Sequence, residues 1–153
     1  MIERHATQDG QHSWAVYSDC ERYRYGLRRV WAPGRELLVI MLNPSTATET
    51  ANDPTIERCQ RRAQRLGFGG VRIANLFAYR ATQPKDLRAA AEPEGPGNAD
   101  FLAAWVRQAS VTLAAWGVHG AHRGAGPRLA RALTGDVRHL GLTRDGHPRH
   151  PLY

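Results

Sequence analysis

The chain has 153 residues, a net charge of +7 and only two cysteines, Cys20 and Cys59. A chain of this length buries about 70% of its unfolded surface on folding, so it needs no disulfide or metal for a stable core. Two cysteines are too few for a four-cysteine zinc site or an iron–sulfur cluster, and we expect reduced thiols and no cofactor. No apolar run approaches the roughly 20 residues of a membrane span, and the N-terminus lacks an apolar signal segment. We therefore expect a cytoplasmic protein without a membrane partner.

The charge of the chain comes almost entirely from arginine. Of the 21 basic residues, 20 are arginine, and Lys85 is the only lysine. A basic chain favours polyanionic partners, because each neutralised phosphate releases condensed counterions. An excess of arginine and alanine is also typical of high-GC genomes. Charge alone therefore leaves the question of a nucleic-acid partner open.

The first part of the chain predicts one or two strands with alternating side chains, then a continuously apolar strand, and then a helix. Residues 14–31 alternate aromatic and basic side chains, which is typical of one or two strands. The run from Glu36 to Asn43 is short and continuously apolar, and it is the best candidate for a central, fully buried strand. Asp53 followed by Pro54 predicts the start of a helix, which should end at Leu66 before a group of glycines.

The rest of the chain alternates strands and helices. We expect strands at 71–75, 111–116 and 137–140, and helices at 85–91, 98–108 and 126–133. This alternation predicts a three-layer α/β/α sandwich with a central, mainly parallel sheet and functional sites at its carboxyl edge. No internal repeat or linker divides the chain. We therefore expect a single α/β domain over residues 1–153, and a monomer.

Polar, turn-forming peptides follow three of the predicted strands. They are Asn43-Pro44-Ser45, Asn75-Leu76-Phe77, and the tail that carries His147-Pro148. Each peptide alone is typical of an ordinary turn. In a parallel sheet the carboxyl ends of the strands share an edge, so residues far apart in sequence can meet there. Together the three peptides predict a functional site.

In order and spacing, these motifs resemble those of the uracil-DNA glycosylase superfamily between Leu37 and Leu152. VIMLNPS is similar to the first motif of the mismatch-specific branch, NLFAYRATQP to the strand end whose asparagine recognises the flipped base, and HPRHP to the late His-Pro loop. The blocks NPSTA, DPTI, NLFAYRAT, AAWG and GHPRHPLY also resemble the DUF1643 family of bacterial proteins. The superfamily resemblance implies a uracil-DNA glycosylase-like fold and a monofunctional DNA base glycosylase. The implied partner is DNA, either single- or double-stranded.

The resemblance also implies roles for the motif residues. Asn43 would orient the attacking water, Asn75 would pair with the edge of a pyrimidine, and His147 would stabilise negative charge on the departing base. Ser45, next to Pro44, would leave room beside C5 for a modified or mismatched pyrimidine. Because an amide is not a base, we expect slow hydrolysis.

Further residues complete the predicted site. Asp53 could assist the water, although its position also fits a helix cap. Phe77 is a candidate stacking partner, although an aromatic at such a position is also typical of a core. The side chains predicted to contact phosphates are Arg80, Lys85, Arg149 and His150. No histidines form a carboxylate-supported group, so we expect no metal.

Two other functions stay open at this point. One is a non-catalytic nucleic-acid or nucleotide binder that keeps the pocket. The other is a hydrolase of free nucleosides or nucleotides, which is favoured by a short chain with little surface for clamping a duplex.

Overall fold

The computed structural model describes residues 1–152. The strands are β1 Ile2–Gln8, β2 Gln11–Tyr17, β3 Arg24–Val30, β4 Glu36–Met41, β5 Gly70–Asn75, β6 Val111–Ala114 and β7 Val137–His139. The helices are α1 Pro54–Arg65, α2 Pro84–Ala89, α3 Asn98–Gln108 and α4 Ala125–Ala132, and a kinked 3₁₀ segment spans Val118–Gly124. All seven strands form one sheet in the order β1-β2-β3-β5-β4-β6-β7. Within these residues, no helix combines the length and the apolar character needed to cross a membrane.

The parallel half of the sheet follows the sequence prediction. β4 pairs in parallel with β5 on one side and with β6 on the other, and β7 pairs in parallel with β6. Every residue of 37–41 is at most 3% exposed, as expected for a strand covered on both faces. The predicted helix start is confirmed as well, since Asp53 Oδ1 accepts the Ile56 N–H at 2.9 Å and Pro54 is the first residue of α1.

The prediction of a mainly parallel sheet is not confirmed. β1, β2 and β3 pair antiparallel in succession, and β3 pairs antiparallel with β5, so the sheet is mixed. The sequence prediction does not include β1, although its turn carries a hairpin signal. Asp9 and Gly10 join β1 to β2 with φ angles of 51° and 78°, and positive φ at both central residues suits the twist of a tight hairpin.

Helices cover both faces of the sheet. On one face, α1 joins a core cluster through Ile56, Cys59 and Ala63. On the other face, α2, α3 and α4 join a second cluster through Leu87, Leu102 and Ala125. The predicted three-layer α/β/α arrangement is therefore present, with four helices around a mixed sheet.

The chain leaves the neighbouring strands β4 and β6 toward opposite faces of the sheet. The connection from β4 leads into α1 on the first face, whereas the connection from β6 leads through the 3₁₀ segment into α4 on the second. Such diverging connections open a crevice outside the carboxyl ends of the two strands, and ligands of open α/β sheets bind in this crevice. The fold therefore creates a candidate site just beyond Met41 and Ala114.

Candidate functional site

A cavity of about 670 Å³ occupies this crevice. Its walls come from the segments after β4, β5 and β6, from the start of α1 and from the C-terminal tail. The predicted site residues that line it are Asn43, Ser45, Asp53, Arg149 and His150. Ligand cavities range over roughly 300–1,000 Å³, so this one is large enough for a drug-sized molecule.

The amide of Asn43 is held by the backbone of two loops. Its Nδ2 donates to Ala81 O at 2.8 Å and to Pro44 O at 3.0 Å. Pro44 itself is buried and does not line the cavity. Within residues 1–152, Oδ1 of Asn43 accepts no hydrogen bond. The fixed amide therefore offers an acceptor to a water or ligand in the cavity.

Asp53 is a helix cap that also holds the loop before α1. Its Oδ1 accepts the Ile56 N–H at 2.9 Å, and its Oδ2 accepts the Ala47 N–H at 3.2 Å. Both carboxylate oxygens are thus engaged by backbone donors, although the side chain lines the cavity. Of the two roles that the sequence allowed, the geometry supports the cap.

A buried arginine contributes to the cavity wall. The side chain of Arg24 lines the cavity and is 1% exposed, and its Nη1 donates to Ala47 O at 2.6 Å. Its Nε has no hydrogen-bond partner within residues 1–152. Burial lowers the pKa of Arg24 to about 10, and the negative charge of Asp53 opposes this shift. Arg24 therefore remains a cation at neutral pH.

A β-bulge sets the position of Arg24. Val16 of β2 pairs with Gly26, but the next residue, Tyr17, pairs with Arg24, so that Tyr25 is an extra residue in β3. An extra residue changes which side chains point to a given face of the sheet. As a result, Arg24 lies on the same wall as the loop that follows β4.

His150 is the histidine of the tail that lines the cavity. Its Nδ1 accepts the Leu152 N–H at 3.1 Å, which places the proton of the neutral ring on Nε2. Burial lowers the pKa of His150 below its ordinary value of 6.5; Asp53 opposes this shift, and His119 adds to it. The ring is therefore neutral at pH 7.

Besides Pro44, three residues predicted to act on or contact the base do not line the cavity, namely Asn75, Phe77 and His147. Asn75 is 1% exposed, and its two side-chain polar atoms have no hydrogen-bond partner within residues 1–152. Phe77 is fully buried in the core on the α4 side, where its ring lies 5.5 Å from that of His122. His147 belongs to a turn in which its carbonyl accepts the Thr143 N–H at 2.8 Å. Of the three motif residues proposed to act together, only Asn43 lines the cavity.

Of the four side chains predicted to contact phosphates, some line the main cavity and some do not. Two of them line the main cavity, Arg149 and His150. Arg80 instead packs over the ring of Tyr17 at 5.3 Å and lines an adjoining cavity of about 320 Å³, which shares Ser45 with the main one. Lys85 is exposed on α2 and lines neither.

Several lining residues are absent from the sequence prediction, among them Arg24, Trp116, His119 and Thr143. Trp116 ends the predicted strand 111–116 and His119 follows it, so the rule that selected Asn43 at the end of its own strand could have found them. Arg24 carries no comparable signal, because it is one of four arginines between residues 22 and 29.

Comparison with known proteins gives one match. The family described as "protein of unknown function (DUF1643)" matches residues 24–152, a range that includes every residue lining the cavity. No curated protein and no solved structure matches the chain. The comparisons therefore do not support the resemblance to uracil-DNA glycosylases, which stays a prediction.

Proposed function

The chain belongs to the DUF1643 family, and from its cavity we propose that it is a DNA base glycosylase. Its substrate would be a uracil-like or 5-modified pyrimidine that leaves the DNA stack and enters the cavity. The observation that carries the proposal is the convergence of Asn43, Ser45 and His150 on one cavity at the carboxyl edge of the sheet. The predicted uracil-DNA glycosylase-like fold belongs to the same proposal.

The reaction requires a positioned water and a stabilised leaving group. The bond from C1′ to the base nitrogen breaks, the water oxygen bonds to C1′, and the base departs with the electron pair and takes up a proton. Asn43 Oδ1 orients the water but does not remove its proton, so hydrolysis is slow and relies on the leaving base. We assign stabilisation of that base to the lining histidines, His119 and His150, rather than to His147.

Ser45 bears on the choice of base. Its side chain is small and lines both the main cavity and the adjoining one. A substituent on C5 of a pyrimidine would therefore have space in this direction. This supports a modified or mismatched pyrimidine over plain uracil.

Oligonucleotides that contain uracil, hypoxanthine, 5-hydroxymethyluracil or a thymine opposite guanine test the proposal. Treatment with alkali breaks the strand wherever a base has been lost. We expect slow breakage with at least one substrate, and a loss of about 10²-fold or more in Asn43→Ala. His150→Ala should reduce the rate much more than His147→Ala does. If none of the substrates is broken, the protein is not a DNA base glycosylase.

A second candidate is a hydrolase of free nucleosides or nucleotides. The volume of about 670 Å³ favours it, because this space suits a whole drug-sized molecule as well as a single base. Incubation with free pyrimidine nucleosides and nucleotides, followed by chromatography, would detect the released base. Release from these compounds, without release from any oligonucleotide, would favour the second candidate. Binding of either ligand without release would indicate a non-catalytic binder.

A further inference from the structure

Helix α1 carries four arginines on its outer side. The helix buries Ile56, Cys59 and Ala63 against the sheet. Three of the arginines are exposed, whereas Arg62 is half-buried and its Nε has no hydrogen-bond partner within residues 1–152. Residues three, four and seven positions apart share a helix face. The arginines at these spacings, together with Gln64, line a shallow cavity of about 360 Å³; they are Arg58, Arg61, Arg62 and Arg65. We call these four residues the α1 basic row.

The charge of the α1 basic row is poorly neutralised. Glu57 is the only acid of the helix, so four arginines and one glutamate leave α1 with three of the seven net positive charges of the chain. Glu57 pairs with Arg61 at 2.8 Å, but this pair is exposed and screened by water. No other arginine of the row forms an ion pair within residues 1–152. The row is therefore suited to a polyanion.

The α1 basic row begins beside the main cavity. Pro54, Thr55 and Ile56 of the first turn line that cavity, and Arg58 lies two residues further along the helix. From Arg58 to Arg65 the helix rises roughly 10 Å. One strand of DNA carries a phosphate about every 3.4 Å of its axis, so the row spans about three phosphates.

We propose that the α1 basic row binds the sugar–phosphate backbone of the DNA strand whose target nucleotide occupies the cavity. The identity of that nucleotide rests on the proposed function, but the row holds the strand whether or not the base is cleaved. Arginine suits this role, because its planar fork can donate two hydrogen bonds to one phosphate. Such contacts do not depend on the base sequence, and they weaken as salt rises.

Two triple variants with the same change in net charge test the proposal. The first is Arg58→Gln/Arg61→Gln/Arg65→Gln, which removes the exposed arginines of the row. The second, the control, removes three exposed arginines from the other helices: Arg88→Gln/Arg107→Gln/Arg131→Gln. All six side chains are exposed, so both variants should fold, which circular dichroism can check.

Fluorescence anisotropy with a labelled single-stranded oligonucleotide, measured over a salt series, gives the readout. We expect the row variant to bind the oligonucleotide about tenfold or more weakly. The slope of log K against log salt concentration should become smaller in magnitude by about 2, since each lost phosphate contact to a single strand reduces it by about 0.7. The control variant should change both quantities much less. Equal losses in the two variants, or no loss in the row variant, would overturn the proposal.

Further ligands in the same assay separate this proposal from the glycosylase proposal. Tighter row-dependent binding of RNA than of DNA would overturn the assignment to DNA. If DNA binding depends on the α1 basic row but no oligonucleotide releases a base, the proposed role of the row is supported and the proposed glycosylase activity is refuted. Conversely, if both base release and DNA affinity are unchanged in the row variant, the proposed role of the α1 basic row is refuted and the glycosylase proposal is not.

Discussion

Arg24 Nη1 donates a hydrogen bond of 2.6 Å to Ala47 O, and this bond joins β3 to the loop that walls the cavity. The N–H of Ala47 donates to Oδ2 of Asp53 at 3.2 Å, so Asp53 holds the same loop residue. Ala47 is therefore fixed at both of its backbone polar groups. A buried cation and a helix cap together maintain the shape of the cavity next to Asn43.

Replacement of Arg24 by methionine should loosen this loop without unfolding the protein. Arg24→Met removes one hydrogen bond but also a buried charge that forms no ion pair, and these two effects offset each other to within about 1 kcal/mol. We expect faster amide hydrogen exchange in residues 46–52 and a nearly unchanged urea midpoint. Arg107→Met, at an exposed position, serves as the control. If Arg24→Met instead lowers the free energy of unfolding by about 3 kcal/mol or more, Arg24 pairs strongly with Asp53.

Substitutions of Asp53 separate the capping role from a catalytic one. Asp53→Ala should lower the free energy of unfolding by about 1 kcal/mol, because the helix loses its cap. Asp53→Asn should keep most of this stability, because asparagine also caps helices. If Asp53 only caps α1, Asp53→Asn keeps most of any base-release activity. A general base contributes about 10²–10⁴-fold, so a loss of that size in well-folded Asp53→Asn would contradict the capping role.

The stability of the protein should fall in mild acid, partly because of His150. Burial holds the pKa of this side chain in the folded state below 6.5, so the unfolded chain takes up the proton first as the pH falls. The free energy of unfolding therefore decreases as the pH drops below about 6.5. His150→Gln should flatten this part of the profile, measured as the thermal midpoint against pH. An unchanged profile in well-folded His150→Gln would refute the assignment.

The two free thiols should differ sharply in reactivity. The Ser18 hydroxyl and then Arg22 lower the pKa of exposed Cys20 to about 7, whereas burial raises the pKa of Cys59 to about 12. A thiol reagent at neutral pH should modify Cys20 rapidly and Cys59 only after unfolding. Mass spectrometry before and after addition of urea can count the labels, with Cys20→Ser as the control. Rapid labelling of native Cys20→Ser would contradict the burial of Cys59.

Local patterns predicted the parallel half of the fold and some of the residues that line the cavity. The apolar run of β4 and the Asp53-Pro54 start of α1 carry their structure in adjacent residues, because burial on both faces and helix capping are local requirements. The strand-end rule identified Asn43 and Ser45 for a similar reason. The Asp9-Gly10 turn is an equally local signal for the first hairpin, whereas the antiparallel pairing of β3 with β5 joins segments that are distant in sequence.

The sequence by itself determined the position of the central strand, the start of α1 and the polar residues that follow β4. Only the tertiary structure decided which of the later residues join them. Alternation of side chains along β5 and the path of the chain beyond it bury Asn75 and send Phe77 into the core on the α4 side. In the tail, His150 rather than His147 lines the cavity, and the bulge in β3 brings in Arg24. These outcomes depend on strand pairing and packing between distant segments, which no local pattern of residues specifies.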